Sequence, residues 1–167
     1  MAFIDGPIDG VRVVPFRRAE DGRGWLMEIF RADELPGAFL PVMSYVSLTL
    51  PGVLRGPHEH ADQADLFAFV GPGGFRVTLW DNRAGSPTFR HRAELLMGKE
   101  NPGSVLIPPG IVHCYRCVSP EAGVVINCPN RLYKGENRAH PVDEIRHEDD
   151  PANPFVVDER LRRDGLA

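Results

Sequence analysis

Short runs of β-branched and aromatic residues recur along the chain, each closed by Gly, Pro, Asn or Asp, and no segment longer than a turn or two carries the 3.6-residue apolar period of a helix. The runs fall at residues 11–16, 25–30, 42–50, 65–70, 75–80, 93–97, 104–107 and 124–128. The 17 glycines and 16 prolines concentrate between them. A chain punctuated in this way buries its apolar residues as sheet, so the reading is an all-β barrel or sandwich with few short helices. Residues 20–24 read as the turn of an opening hairpin between the first two runs. Helical character is expected only at residues 31–35 and in the charged stretch 158–164. Residues 134–154, polar and Pro-containing, read as an ordered surface connection after the last strand.

At 167 residues the chain fits one domain, 1–167, with no visible boundary or repeat. No apolar run approaches the roughly 18 residues of a membrane helix, and the N-terminus lacks a signal-peptide pattern, so a cytoplasmic protein with no membrane partner is expected. The formal net charge is -4 with both signs interspersed, which argues against nucleic acid as a partner. The basic residues are nearly all Arg, Lys99 and Lys134 being the exceptions, and Arg does not readily give up a proton. Cys114, Cys117 and Cys128 are an odd, closely spaced set that fits a reduced compartment; on a strand, Cys114 and Cys117 point to opposite faces and cannot share a metal.

Chemistry gathers at the histidines. His58 and His60 are two apart in GVLRGPHEH, residues 52–60, so in an extended strand both leave the same face. Asp65 follows at the start of an apolar run, and His113 closes PPGIVH, residues 108–113, after a turn that would bring its ring to a barrel mouth. This set resembles the two cupin motifs, an HxH with an acidic residue and a later His, which implies a metal held by His58, His60, Asp65 and His113. Imidazole and carboxylate suit a divalent transition metal, and spacing does not select which. Asp65 stands where the cupin pattern has the longer Glu.

A second resemblance runs from about Asp21 to Phe155. Residues 52–58, GVLRGPH, are similar to the GVLRGLH of the dTDP-4-dehydrorhamnose 3,5-epimerases. The resemblance implies His58 as the base that takes a proton from C3 or C5 of a 4-keto sugar, Arg55 as the diphosphate clamp, and His113 as a substrate-binding residue. Residues 21–28, DGRGWLME, look like the family's DxRGxxxE, which implies that Arg23 and Glu28 reach the partner's nucleotide in a homodimer. Ser86–Phe89, Glu100 with Asn101, and residues 107–113 repeat further family landmarks in order. The implied fold is a double-stranded β-helix, the cupin jelly roll. The implied activity is isomerisation of a nucleotide-linked 4-keto-6-deoxy sugar, with no cofactor required.

The chain departs from the family at three places. Asp65 occupies the place of a lysine, the family's acid tyrosine would fall near Ile126 or Asn127, and no acidic partner for the base is recognisable after Phe155. Tyr133 is then the nearby phenol available as the acid, although it aligns with a tyrosine that stacks on the base of the nucleotide. A metal on the His58, His60, Asp65 and His113 set would replace the missing lysine as a Lewis acid, but a liganded His58 could not also be the free base. Two alternatives stand beside the epimerase: a metal-dependent cupin enzyme on a small keto or hydroxy compound, and a non-catalytic sugar-nucleotide-binding cupin. Tyr115, Trp80, Phe67 and Trp25 read as core residues; His91, His140, His147 and the acidic 148–150 read as solvated surface.

Overall fold

The computed structural model describes residues 2–37 and 39–157. The strands are β1 (Ile4–Asp5), β2 (Arg12–Pro15), β3 (Ala19–Asp21), β4 (Gly24–Leu26), β5 (Tyr45–Thr49), β6 (Leu54–Glu59), β7 (Asp65–Phe69), β8 (Gly74–Asp81), β9 (His91–Gly98), β10 (Gly103–Ile107), β11 (Ile111–Cys117), β12 (Gly123–Asn127) and β13 (Ile145–Arg146). They form a six-stranded sheet, β1-β9-β8-β11-β6-β13, facing a five-stranded sheet, β2-β10-β7-β12-β5, with β3 and β4 as a separate hairpin. Apart from the parallel β1–β9 pair, all pairings are antiparallel. This is the jelly-roll barrel of the cupins.

Period-two alternation builds the core between the sheets. Phe75, Val77 and Leu79 of β8 and Ile111, Tyr115 and Cys117 of β11 point inward, against Phe67 and Phe69 of β7, Val105 and Ile107 of β10 and Val125 of β12. The alternate residues Trp80, Val112 and Cys114 pack outward under Phe155. Cys114 and Cys117 therefore do lie on opposite faces, and both are free and buried.

Several expectations are corrected. Residues 11–16 do not pair with 25–30: β2 pairs with β10, and the opening hairpin is the shorter β3–β4. A contact across the barrel thus replaces the local one. Residues 31–35 form turns, not a helix, and the only helical pieces among the described residues are the 3-10 turns Glu136–Arg138 and His147–Asp149. The stretch 158–164 lies outside the described residues. Trp25 is half exposed on the hairpin, with Arg18 over its ring, and is no core residue. His91 opens β9 and its Nδ1 lies 2.8 Å from the carbonyl of Pro7. Among the described residues no helix is long and apolar enough to cross a membrane.

Candidate active site

One end of the barrel opens into a cavity of about 1370 Å³ lined from both sheets. β6 shapes it. His58 pairs with His113 and Arg55 with Tyr115, so three β6 steps match two on β11 and the strand bulges between them. In a regular strand residues three apart face opposite sides; the bulge turns both Arg55 and His58 into the cavity. Gly56 makes this approach possible: its φ is +86°, and a Cβ there would sit 2.6 Å from the carbonyl oxygen of His113. The rings of His58 and His113 meet edge to face, 4.5 Å apart, and His60 stands 5.7 Å from His113.

Asp65, at the start of β7 in the opposite sheet, closes this cluster. Its Oδ1 accepts from Gln63 Nε2 at 2.9 Å and Asn127 Nδ2 at 2.8 Å, and its Oδ2 faces His60 Nε2 at 3.1 Å and His113 Nε2 at 3.5 Å. The structure thus brings together His58, His60, Asp65 and His113, as the spacing predicts. Burial, reinforced by the nearby His113 and His60, pushes the His58 imidazole down to about 2, so its ring is uncharged at any working pH. Burial likewise lowers His113; it opposes protonation of His60 too, but the adjacent Asp65 carboxylate outweighs it and raises His60.

Residues 134–154 are not a mere surface connection. β13 pairs with β6, Arg146 opposite His58, and the following turn sets Glu148 behind the cluster with its Oε1 4.0 Å from His58 Nδ1. Asp143 caps the end of β6 by accepting the backbone N–H groups of Ala61, Asp62 and Gln63 at 2.8–2.9 Å. His147, expected in solvent, instead bonds Glu59 through Nε2 at 2.9 Å and packs against Phe155, 4.6 Å away. Glu148, expected as surface charge, has only 22% of its side chain exposed. Sequence reasoning missed both because nothing in HEDD announces that a two-residue strand folds it back onto β6.

Three phenols line the cavity, not one. Tyr133 is half exposed on the loop after β12, its backbone N–H directed at Met43 Sδ and Lys134 above its ring. Tyr115 shares a contact of 3.1 Å with Ser47 Oγ. Tyr45 on β5 is the register partner of Asn127, which with Ile126 marks where the resemblance would put the family's tyrosine, and its hydroxyl oxygen accepts from Asn127 Nδ2 at 3.0 Å. Burial raises Tyr45 to about 12, so it keeps its proton.

Arg55 is fixed by Thr49 Oγ1 at 2.9 Å and the Leu48 carbonyl at 3.0 Å. Arg131, Lys134 and Arg138 also line the cavity, and among the described residues none of these four cations sits in an ion pair with a carboxylate. Asp62, Asp143, Glu144 and Glu148 share the lining, but these four cations are left free of direct ion pairs, an arrangement that suits a diphosphate. Arg23 and Glu28 do not line this cavity. Arg23 is at the hairpin, 91% exposed and paired with Asp21 at 2.6 Å, and Glu28 pairs with Arg31 at 3.7 Å.

Residues 5–151 match the family model described as dTDP-4-dehydrorhamnose 3,5-epimerase. A probable low-salt glycan biosynthesis epimerase of Haloferax volcanii is 34% identical over 131 residues, covering 78% of this chain and 83% of the relative. The spore coat polysaccharide biosynthesis protein SpsL of Bacillus subtilis is 38% identical over 109 residues, 65% of this chain and 71% of that one. A dTDP sugar isomerase from Desulfovibrio desulfuricans has the same fold, with a TM-score of 0.76 at 24% identity over 89% of this chain and 91% of its own. A dTDP-6-deoxy-D-glucose-3,5-epimerase of Legionella pneumophila, solved with dTDP-4-keto-L-rhamnose, reaches 0.71 at 26% identity over 86% of this chain and 76% of its own.

Proposed function

The chain belongs to the dTDP-4-dehydrorhamnose 3,5-epimerase family, and on that premise we propose that it epimerises C3, C5 or both of a nucleotide-linked 4-keto-6-deoxy sugar with His58 as the base. The observation that carries this reading is the β6 bulge, which turns a neutral imidazole and a fixed, unpaired guanidinium into one cavity. The cavity is larger than the ~300–1,000 Å³ usual for a small ligand, which favours a nucleotide sugar over a small keto or hydroxy compound.

The 4-keto group acidifies the hydrogens at C3 and C5. His58 takes one as a proton, the electron pair moves into the enolate, and Glu148 behind Nδ1 stabilises the imidazolium that results. The second group must work from the opposite side. Tyr45 does this in preference to Tyr133: it projects from the five-stranded sheet, across the cavity from His58 on the six-stranded one, and its oxygen already accepts from Asn127, leaving the O–H free to donate. Arg55, with Arg131, Lys134 and Arg138 nearby, holds the diphosphate. The exchange needs no redox cofactor.

A homodimer is part of the reading. The exposed Val46 and Leu48 on edge strand β5, and the projecting hairpin with Trp25 and Leu26, are apolar surface that a second copy would cover, bringing Arg23 to the partner's nucleotide. Light scattering of the purified protein tests the assembly.

Incubation of a dTDP-linked 4-keto-6-deoxy hexose in deuterium oxide tests the reaction. Deuterium enters C3 or C5 with the wild-type protein, and His58→Asn reduces the rate by about 10²–10⁴-fold. Tyr45→Phe retains wash-in but slows net inversion, and Tyr133→Phe acts chiefly on KM. Binding without wash-in would identify a non-catalytic sugar-nucleotide-binding protein.

A further inference from the structure

Behind the base lies a buried group of hydrogen-bond acceptors, two of which, Asp65 Oδ2 and His113 Nε2, meet no donor among the described residues. His60 Nδ1 lies against the carbonyl of Asp143, and His113 Nδ1 lies 3.0 Å from the carbonyl of Ile111. A carbonyl oxygen only accepts, so each Nδ1 carries the ring's proton and each neutral imidazole turns a bare Nε2 lone pair inward. Both lone pairs point at a third acceptor, Asp65 Oδ2. Gln63 Nε2 donates one hydrogen to Asp65 Oδ1, beside Asn127 Nδ2, and lies 3.2 Å from His60 Nε2 with its second, but neither amide reaches Asp65 Oδ2 or His113 Nε2. Among the described residues, Asp65 Oδ2 and His113 Nε2 are buried with no hydrogen-bond partner at all.

Buried acceptors that face one another repel unless something positive stands between them. One proton serves one ring and leaves the other lone pair against the carboxylate; a second makes two buried imidazolium ions for a single carboxylate. A metal ion meets all three at once. Ligands about 2.0–2.2 Å from a common ion stand roughly 2.9–3.5 Å apart, which is the spacing of Asp65 Oδ2 from the two Nε2 atoms. The carbonyls on Nδ1 and the amides on Oδ1 then supply the outer hydrogen bonds that fix ligand orientation at metal sites.

We propose that His60 Nε2, His113 Nε2 and Asp65 Oδ2 form a site for one divalent transition-metal ion, with His58 left beside it as the free base. The assignment resolves the conflict between His58 as ligand and His58 as base: the three imidazoles offer nitrogens within 4.8 Å of one another, but the two whose Nδ1 is pinned by a carbonyl are His60 and His113, whereas His58 Nδ1 faces Glu148. It rests on the epimerase reading for its role, which is to polarise the sugar's 4-keto oxygen where this chain has an aspartate in place of the family's lysine.

The test is metal binding by the whole protein, stripped with chelator and titrated with Zn²⁺ or Mn²⁺ alone, read by calorimetry and by elemental analysis after dialysis. The expected result is about one ion per chain for wild type and for His58→Asn, and at least tenfold weaker binding for His60→Ala and Asp65→Asn, with thermal unfolding showing that each variant is folded. No binding by wild type, binding unchanged in Asp65→Asn and His60→Ala, or binding lost in His58→Asn overturns the site. Deuterium wash-in separates the two readings: full exchange by a protein that binds no ion removes the metal and keeps the epimerase, and stoichiometric metal without exchange removes the epimerase and keeps the site.

Discussion

Two aspartates lie wholly inside this barrel, and their surroundings differ in kind. Asp81, at the end of β8, accepts from Arg83 Nε at 2.8 Å, Arg83 Nη2 at 2.8 Å, Ser86 Oγ at 2.6 Å and Thr88 Oγ1 at 2.6 Å, so each carboxylate oxygen meets donors. Asp65, at the start of β7, is satisfied on Oδ1 alone and meets imidazole lone pairs with Oδ2. The chain saturates one carboxylate and leaves the other half open. A saturated buried charge holds a corner in place; an open one buried behind the cavity's histidines is kept for a ligand, since folding gains nothing from it.

The largest effect that tests this contrast comes from Asp65→Asn. Deuterium exchange should fall about 10²–10³-fold, because the proposed ion loses its one carboxylate ligand and removing a stabiliser of a developing oxyanion usually costs that much. The thermal midpoint should stay level or rise, because an amide at the Oδ2 position donates to a lone pair that now has no donor. A midpoint that drops steeply while exchange persists would make Asp65 another structural carboxylate and dissolve the contrast.

Asp81→Asn should do the reverse. It leaves Arg83 without its carboxylate and removes the charge from five hydrogen bonds, one of them from the Arg83 backbone N–H, a cost of about 2–4 kcal/mol, or a midpoint lower by roughly 5–15 °C in a domain of this size. Exchange per folded molecule should be unchanged. Acid adds a second reading. Burial pushes Asp81 up, but the hydrogen bonds of Arg83, Ser86 and Thr88 prevail and hold it far below the usual carboxylate range. A carboxylate depressed on folding contributes stability that is full above the unfolded value of about 3.9 and is lost as pH falls below it toward the folded value. Wild-type stability should therefore fall more steeply than that of Asp81→Asn below about pH 4, and parallel curves would deny Asp81 its role.

How much of this was legible follows from the same residues. Apolar runs closed by turn residues were readable even where both faces are buried, as in β7 and β10; β11, equally buried, is interrupted by His113, Cys114, Arg116 and Cys117, so no apolar run marks it. β6 hid for a different reason, since Arg, Gly, Pro and His stand where a strand is sought and the bulge breaks its period. The convergence of His58, His60, Asp65 and His113 could be foreseen because spacing of two and a turn before His113 fix direction. Tyr45, Glu148 and His147 could not, because each reaches the site through a pairing between distant segments, β5 with β12 and β13 with β6.

Glu59 is the third buried carboxylate and the intermediate case, with His147 Nε2 and Asn82 Nδ2 both at 2.9 Å from Oε1. It sits on the back of β6, between the two histidines of the HxH, and its bond to His147 ties down the turn that carries Glu148. Glu59 thus acts on the site without touching the cavity, and His147 is a positioning residue. His147→Phe keeps an aromatic ring against Phe155 and removes the bond to Glu59, while Asn82 still serves the carboxylate. The expected loss is the smallest here: about 1 kcal/mol, seen as a kcat lowered about three- to tenfold with KM unchanged, because the cations on the diphosphate stay where they are. A shift in KM with kcat intact would mean that this turn orders the nucleotide end of the cavity, and that Glu148 holds its place behind His58 through Arg146 at 3.1 Å instead.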